Sequence, residues 1–237
     1  MKFFPLYIKS LIKFVSDAFK YKKYQKNNLP LKIRNLHVCL YDFLDQAGKA
    51  KGHYFHQDIL VARKIYERNP ENHYDIGSRI DGFIGHLLVF RKVIVVDIRR
   101  LESEVNNLSF IQDDATTLIQ IPDHSIDSVS ALHSVEHFGL GRYGDKIDPS
   151  ADIQAMQTLT RILKPGGRLY FSVPIGRSRM EFNAHRIYDP VFIPEVFNKL
   201  TLISFSYVND NGDLIENCNP SEVKNINYGC GIYEFTR

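Results

Sequence analysis

Between about residues 53 and 200, short apolar runs of strand character alternate with longer stretches of helical period. No other feature of the chain restricts its fold so strongly. Residues 93–96 form a β-branched run that ends at Asp97, the pattern of a strand covered on both faces. Further strands are predicted over 73–76, 109–111, 126–132 and 168–173. Between them, 57–68, 80–90 and 153–163 carry apolar residues at steps of three and four, and 191–200 follows Pro190 as another helix. Pro70 and the run Pro165-Gly166-Gly167 act as stops. Strand and helix in this order predict a doubly wound α/β sheet. Residues 202–208 and 228–235 read as an antiparallel pair added at one edge.

A chain of 237 residues with 44% hydrophobic residues can bury a substantial core. The net charge of +3 argues against a polycationic nucleic-acid binder, so no nucleic-acid partner is expected. Cys39, Cys218 and Cys230 are too few and scattered for a disulfide framework, and fit a reducing, cytoplasmic compartment. No apolar run approaches the roughly 18 residues of a membrane span. Residues 1–28 stand apart, with seven lysines against one acid, Asp17. Phe4, Tyr7, Ile8, Leu11, Phe14, Val15, Ala18 and Phe19 recur at helical spacing. Such a helix suits the inner, anionic face of a membrane as a peripheral contact, or packs on its own domain or a partner. Residues 20–28 read as a solvated linker, which divides the chain into 1–28 and 29–237.

In doubly wound sheets, ligands bind beyond the carboxyl ends of the strands. Asp75-Ile-Gly77-Ser78 follows the first strand; the glycine permits a tight turn, and the next helix opens with amides that can face an anion. Asp97 lies twenty residues beyond Gly77, the spacing of an acid that accepts both hydroxyls of a ribose. Asp113-Asp114-Ala115 follows the third strand and can accept from an adenine amino group. Together these predict a nucleoside-type cofactor.

The set Asp75-x-Gly77, Asp97, Asp114-Ala115, the stretch from Ser130 through Glu136 and His137 to Phe138, and Leu163-Lys-Pro-Gly-Gly resembles class I S-adenosylmethionine-dependent methyltransferases. The stretch Glu136-His-Phe-Gly-Leu-Gly-Arg-Tyr-Gly-Asp, Phe182-Asn-Ala-His-Arg186 and Tyr228-Gly-Cys-Gly resemble the family called domain of unknown function 268. The resemblance implies a Rossmann-like, mostly parallel seven-stranded sheet with an antiparallel last strand. It also implies S-adenosyl-L-methionine as cofactor and a setting in surface-polysaccharide biosynthesis. By the same resemblance, Asp97 holds the ribose, Asp114 meets the adenine, and Gly77 with Ser78 lines the methionine end. Asp75 and His133 are placed on the cofactor side too. Arg79 and Asp81 stand where the superfamily loop has its second and third glycines, and Gly82 comes one residue late.

The loop after the fourth strand carries the candidate chemistry. A sugar hydroxyl is a poor nucleophile and gains from a base within hydrogen-bond reach, which points to His137, with Glu136 orienting it and Asp145 as an alternative. His133-x-x-Glu136-His137 also matches a zinc-peptidase pattern, but that chemistry needs both histidines on one helical face. No metal ligand set is assigned, although a looser Mg²⁺ role would suit an acidic-histidine motif at this place. Three glycines within 139–144 predict a mobile loop, in which Arg142 and Tyr143 would hold a sugar and a phosphate. Arg177, Asn183, His185 and Arg186 are expected to join them around a nucleotide- or lipid-linked sugar acceptor. Cys230 reads as a packed small residue, with no basic partner near it in sequence. The reading is methyl transfer to a sugar hydroxyl in cell-surface glycan synthesis. The alternatives are a non-catalytic scaffold of the same fold at the membrane and a metal-assisted enzyme.

Overall fold

A computed structural model describes residues 3–25 and 33–237. Two compact units divide at Lys49: Met1–Lys49 and Ala50–Arg237. The boundary expected at 28/29 lies outside the described residues, as does part of the expected linker. In the first unit, α1 (Phe3–Tyr24) runs on through residues 20–24, so this part of the expected linker is helical. Lys13 and Lys20 flank Asp17 on α1, and the Lys13 ammonium lies 5.1 Å from the Phe43 ring centroid. No described helix is long and apolar enough to cross a membrane.

The second unit is built on a mixed sheet. Its strands are β1 (Asn72–Ile76), β2 (Lys92–Asp97), β3 (Leu108–Gln112), β4 (Ile126–Leu132), β5 (Leu163–Ile175), β8 (Thr201–Val208), β9 (Leu214–Ile215) and β10 (Gly229–Thr236). The spatial order is β3-β2-β1-β4-β5-β10-β8-β9. Strands β1 to β5 are parallel, and β10 runs antiparallel between β5 and β8. Among the described residues this sheet has eight strands where seven were expected, because the two-residue β9 pairs with the end of β8. A small hairpin of β6 (Arg179–Glu181) and β7 (His185–Ile187) stands apart and was not foreseen.

The helices are short-range consequences of their sequences. In α2 (His53–Arg68), Leu60, Val61 and Ile65 fall on one face and are buried. Burial of each such side chain contributes on the order of 2 kcal/mol. Asn69 ends the helix in the left-handed region, its N–H returning to the Ile65 carbonyl, and Pro70 prevents continuation. α4 (Ala151–Ile162) buries Ala155, Met156, Leu159 and Ile162 in the same core as Val129, Phe171 and Phe235. β5 starts at Leu163, before the Pro-Gly-Gly stop, since Leu163 already pairs with Ile126 across a register shift. The helix expected over 191–200 is reduced to α5 (Phe192–Val196). That expected over 80–90 becomes a π-helical turn, Ile80–Ile84, leading into α3 (Gly85–Leu88).

Strand order reverses between β1 and β4, whose neighbours lie on opposite sides. The crevice at this switch point is where the site forms.

Candidate functional site

A cavity of about 770 Å³ opens at the carboxyl ends of β1 to β4, within the size range of small-molecule sites. Its first half is built from turns. Gly77 holds φ +69, a conformation side chains rarely adopt, and an added Cβ would come 3.2 Å from Ser134 Cβ. Asp75, placed by sequence on the cofactor side, does not line the cavity. It is fully buried beneath the turn, where Oδ1 accepts from the Ser78 amide (2.9 Å) and Oδ2 from the Ser78 hydroxyl (2.7 Å) and the Ser130 hydroxyl. Burial pushes its pKa up to about 6 against the pull of the Ser130 and Ser78 hydrogen bonds. His73, which sequence reasoning missed, continues this chain downwards. Its two ring nitrogens lie 2.8 Å from the Ser128 and Ser130 hydroxyls, and burial, aided by the Arg91 charge, lowers its pKa to about 3.

Beyond Ser78 the chain enters a π-helical turn, Ile80–Ile84. Gly85 donates to the Ile80 carbonyl five residues back. A π turn holds one residue more than an α turn, and Gly82 lies within it. Arg79 and Asp81 pair with each other at the exposed rim (3.2 and 2.9 Å). Asp97 lines the cavity with its carboxylate only 16% exposed. Its oxygens accept from the Arg99 amide (2.8 Å), Nε (3.0 Å) and Nη2 (2.8 Å), and the Arg99 guanidinium lies 4.5 Å from the Tyr143 ring centroid. Asp113 is buried by accepting from the Asp114 and Gln120 amides, while Asp114 accepts from the amide and hydroxyl of Thr116.

The second half gathers distant segments. His133 ends β4 at φ +48, and its Nδ1 donates to Glu136 Oε1 (2.8 Å). Burial opposes its charged form, but Cys230 and Glu136 on either side raise its pKa well above the ordinary range. His137 Nδ1 donates to the Ala184 carbonyl. That bond leaves the lone pair on Nε2, which stands 3.7 Å from Glu136 Oε1. Burial lowers the His137 pKa, against the pull of Glu136, so the ring is neutral near pH 7. Tyr143 and His185 meet the His137 ring edge-on at 5.6 and 6.3 Å, and Tyr228 lies 5.4 Å from His185. Arg142 donates to the Ala184 carbonyl (3.2 Å) and also lines the cavity.

Asp145 lines the cavity too, but its carboxylate accepts from the Gly141 (3.2 Å) and Tyr143 (3.1 Å) amides. Partial burial works against ionisation, yet these amides hold its pKa below the usual range, which suits a loop staple better than a base. The loop expected to be mobile is pinned. Asp148 donates its amide to the Gly139 carbonyl (3.0 Å), and a Cβ on Gly139, at φ +74, would fall 1.9 Å from the Asp148 carbonyl oxygen.

Of the expected substrate residues, Arg142, Tyr143 and His185 reach the cavity, and Arg177, Asn183 and Arg186 do not. Arg177 and Asn183 are exposed beyond β5 and in the β6–β7 turn. Arg186 is buried as a strut, donating to the Phe138 (2.7 Å) and Pro149 (3.3 Å) carbonyls, with Asp152 at 3.5 Å. Sequence reasoning missed Tyr54, Arg99 and His53. Arg99 had a signal, two residues after Asp97; the other two sit in the first turn of α2, far from any strand end.

The family model described as "Caenorhabditis protein of unknown function, DUF268" matches residues 91–225, more than half of the chain. The chain belongs to the domain of unknown function 268 family. No curated protein matches it. Among solved structures, it is similar to the YcgJ protein of Bacillus subtilis, at 14% identity and TM-score 0.54 over 77% of this chain and 98% of that one. The [4+2]-cyclase SpnF aligns at 13% identity and TM-score 0.54, over 76% of this chain and 81% of that one. The N-methyltransferase NodS of Bradyrhizobium japonicum, solved with S-adenosyl-L-homocysteine, aligns at 12% identity and TM-score 0.52, over 78% and 88%. At such identities the likeness establishes the fold, the Rossmann-like architecture of class I methyltransferases, and the presence of a cyclase on it shows that the fold alone does not choose the reaction.

Proposed function

We propose that the cavity binds S-adenosyl-L-methionine and that this family member methylates a sugar hydroxyl in cell-surface glycan biosynthesis. One observation carries the reading. Four buried polar atoms without hydrogen-bond partners, His133 Nε2, Ser134 Oγ, Glu136 Oε2 and His185 Nε2, belong to residues lining one cavity at the strand-order switch point. Buried polar groups are normally hydrogen-bonded, so their concentration there marks a place built for a ligand. The binding of S-adenosyl-L-homocysteine by NodS supports the choice of cofactor.

On this reading Asp97 accepts the ribose hydroxyls once Arg99 yields its carboxylate, Asp114 takes the adenine edge, and the Gly77-Ser78 turn receives the methionine end. The cofactor supplies an electrophilic methyl group on a sulfonium. The protein's task is alignment and proton removal. His137 Nε2 takes the proton of the acceptor hydroxyl, because Nδ1 is committed to Ala184. Glu136, with an oxygen 3.7 Å away, then stabilises the imidazolium. A positioned base of this kind contributes roughly 10²–10⁴-fold. Tyr143 and Tyr228 offer flat faces to a sugar ring, and Arg142 a charge for a phosphate. A lipid-linked acceptor would suit α1, where Ile12, Val15 and Phe19 are exposed among lysines. Each lysine near an anionic surface contributes about 1 kcal/mol.

The test is transfer of a labelled methyl group from S-adenosyl-L-methionine to nucleotide- and lipid-linked sugars. Label should appear in a sugar, and His137→Gln should suppress it. Label entering only amines or no acceptor, from protein that binds the cofactor, would overturn the hydroxyl assignment.

A further inference from the structure

We propose that His53, His133 and Cys230 form a binding site for a zinc-class divalent cation at the floor of the acceptor half. The three residues lie 80 and 97 positions apart in the chain. They meet because α2 begins, β4 ends and β10 begins at the same edge of the cavity. Their ligand atoms all lie within 4.8 Å of one another. The His53 and His133 rings stack at 5.4 Å, only 2° from parallel.

A second, independent observation points to a ligand. His133 is nine-tenths buried, and its Nε2 has no hydrogen-bond partner. Its other nitrogen donates to Glu136 Oε1 at 2.8 Å. A carboxylate behind an imidazole in this way holds the ring and the Nδ1 proton in place, so that loss of the Nε2 proton presents a lone pair there, the usual outer support of a metal-bound histidine. His133 also keeps a left-handed backbone, φ +48, which side chains rarely adopt. Cys230 is fully buried, and its sulfur lies 3.6 Å from Gln57 Oε1. The expectation that Cys230 lacks a basic partner fails in space, because two imidazoles converge on it.

The donor set selects the ion. Two imidazoles and a thiolate suit zinc and exclude magnesium or calcium, which take oxygen ligands. Zinc bonds of about 2.0–2.3 Å in a tetrahedron place ligand atoms roughly 3.3–3.6 Å apart, so any pair near the 4.8 Å limit must draw closer on binding. Half-buried His53, following Gly52, can supply that shift by side-chain rotation. On binding, the Cys230 S–H bond breaks, a metal–sulfur bond forms, and one proton leaves to solvent. A second leaves wherever His133 carries one. Three protein ligands leave a fourth position, and His133 lines the cavity, so that position takes water or an acceptor oxygen. Ion binding itself does not rest on the methyl-transfer reading.

The experiment uses the full chain, stripped with chelator and titrated with Co²⁺ and then Zn²⁺ against a chromophoric competitor. One equivalent should bind with submicromolar affinity, with a near-ultraviolet thiolate-to-cobalt charge-transfer band that Zn²⁺ abolishes. Cys230→Ser should remove the band, and His53→Gln should weaken Zn²⁺ at least tenfold. His53→Gln also serves as the test should Cys230→Ser fail to fold. Binding of S-adenosyl-L-homocysteine, measured in parallel, should survive both variants, which separates failure of this site from failure of the cofactor reading. No stoichiometric binding, binding of Cu²⁺ alone, or Zn²⁺ binding unchanged in both variants would overturn the proposal.

Discussion

At the ends of β1, β2 and β3, each carboxylate is held mainly by residues near itself in sequence: Asp75 by Ser78, Asp97 by Arg99, Asp114 by Thr116. At the ends of β4 and β10, the partners come from far along the chain. His137 reaches Ala184, Arg186 reaches the carbonyl of Phe138, and His53 stacks on His133. The cofactor half is therefore a series of local turns with exposed arginines over its acids. The acceptor half is a buried assembly with orphaned polar atoms. A local turn tolerates change in the rest of the molecule, whereas an assembled pocket depends on the sheet being complete.

The largest expected effect tests the acceptor half. His137→Gln should lower kcat by about 10²–10⁴-fold while leaving S-adenosyl-L-homocysteine affinity within about threefold, because the base touches only the acceptor. Equal losses in both would merge the two halves into one functional unit.

Next comes the buried chain beneath the Gly77 turn. Asp75 has a folded pKa raised to about 6, so its contribution to stability is full below about pH 4 and is lost as pH rises through 6. His73, lowered to about 3, does the reverse: its contribution is present above about pH 6.5 and is lost as pH falls toward 3. At about 1.4 kcal/mol per pK unit, these amount to roughly 3 and 5 kcal/mol in opposite directions. Asp75→Asn should therefore make denaturant stability fall more steeply on acidification from pH 6.5 to 4 than in the wild-type protein. An unchanged slope would show that the chain does not titrate as a buried unit.

Gly77→Ala should weaken cofactor binding tenfold or more and cost about 1–2 kcal/mol of stability, since it forces a side chain into φ +69. Calorimetry and chemical denaturation on the same variant measure both. The smallest effect belongs to Arg99. Its guanidinium occupies the Asp97 carboxylate, so Arg99→Ala should tighten S-adenosyl-L-homocysteine binding by a fewfold. Weaker binding would make Arg99 a ligand contact in its own right.

The same division explains what could be read from sequence. The parallel core of the sheet, the switch point, Gly77, Asp97 and Asp114 follow from strand periodicity and from the residues just after each strand. Arg186 looked like a phosphate-binding arginine, and its burial among backbone carbonyls of the β4–α4 connection became evident only when β7 was placed. Asp75 has the same history, since a strand-ending acid can point up to a ligand or down to the turn. His53 and Cys230 carried no signal, because neither lies near a partner along the chain.

The most direct test of the central claim is calorimetric titration of the full chain with S-adenosyl-L-homocysteine, beside Asp97→Ala. The account predicts micromolar binding at one site per chain, weakened at least thirtyfold in a variant whose thermal unfolding is otherwise unchanged. Absence of binding in the wild-type protein, or equal affinity in both, would contradict it and leave the fold as a scaffold for another ligand.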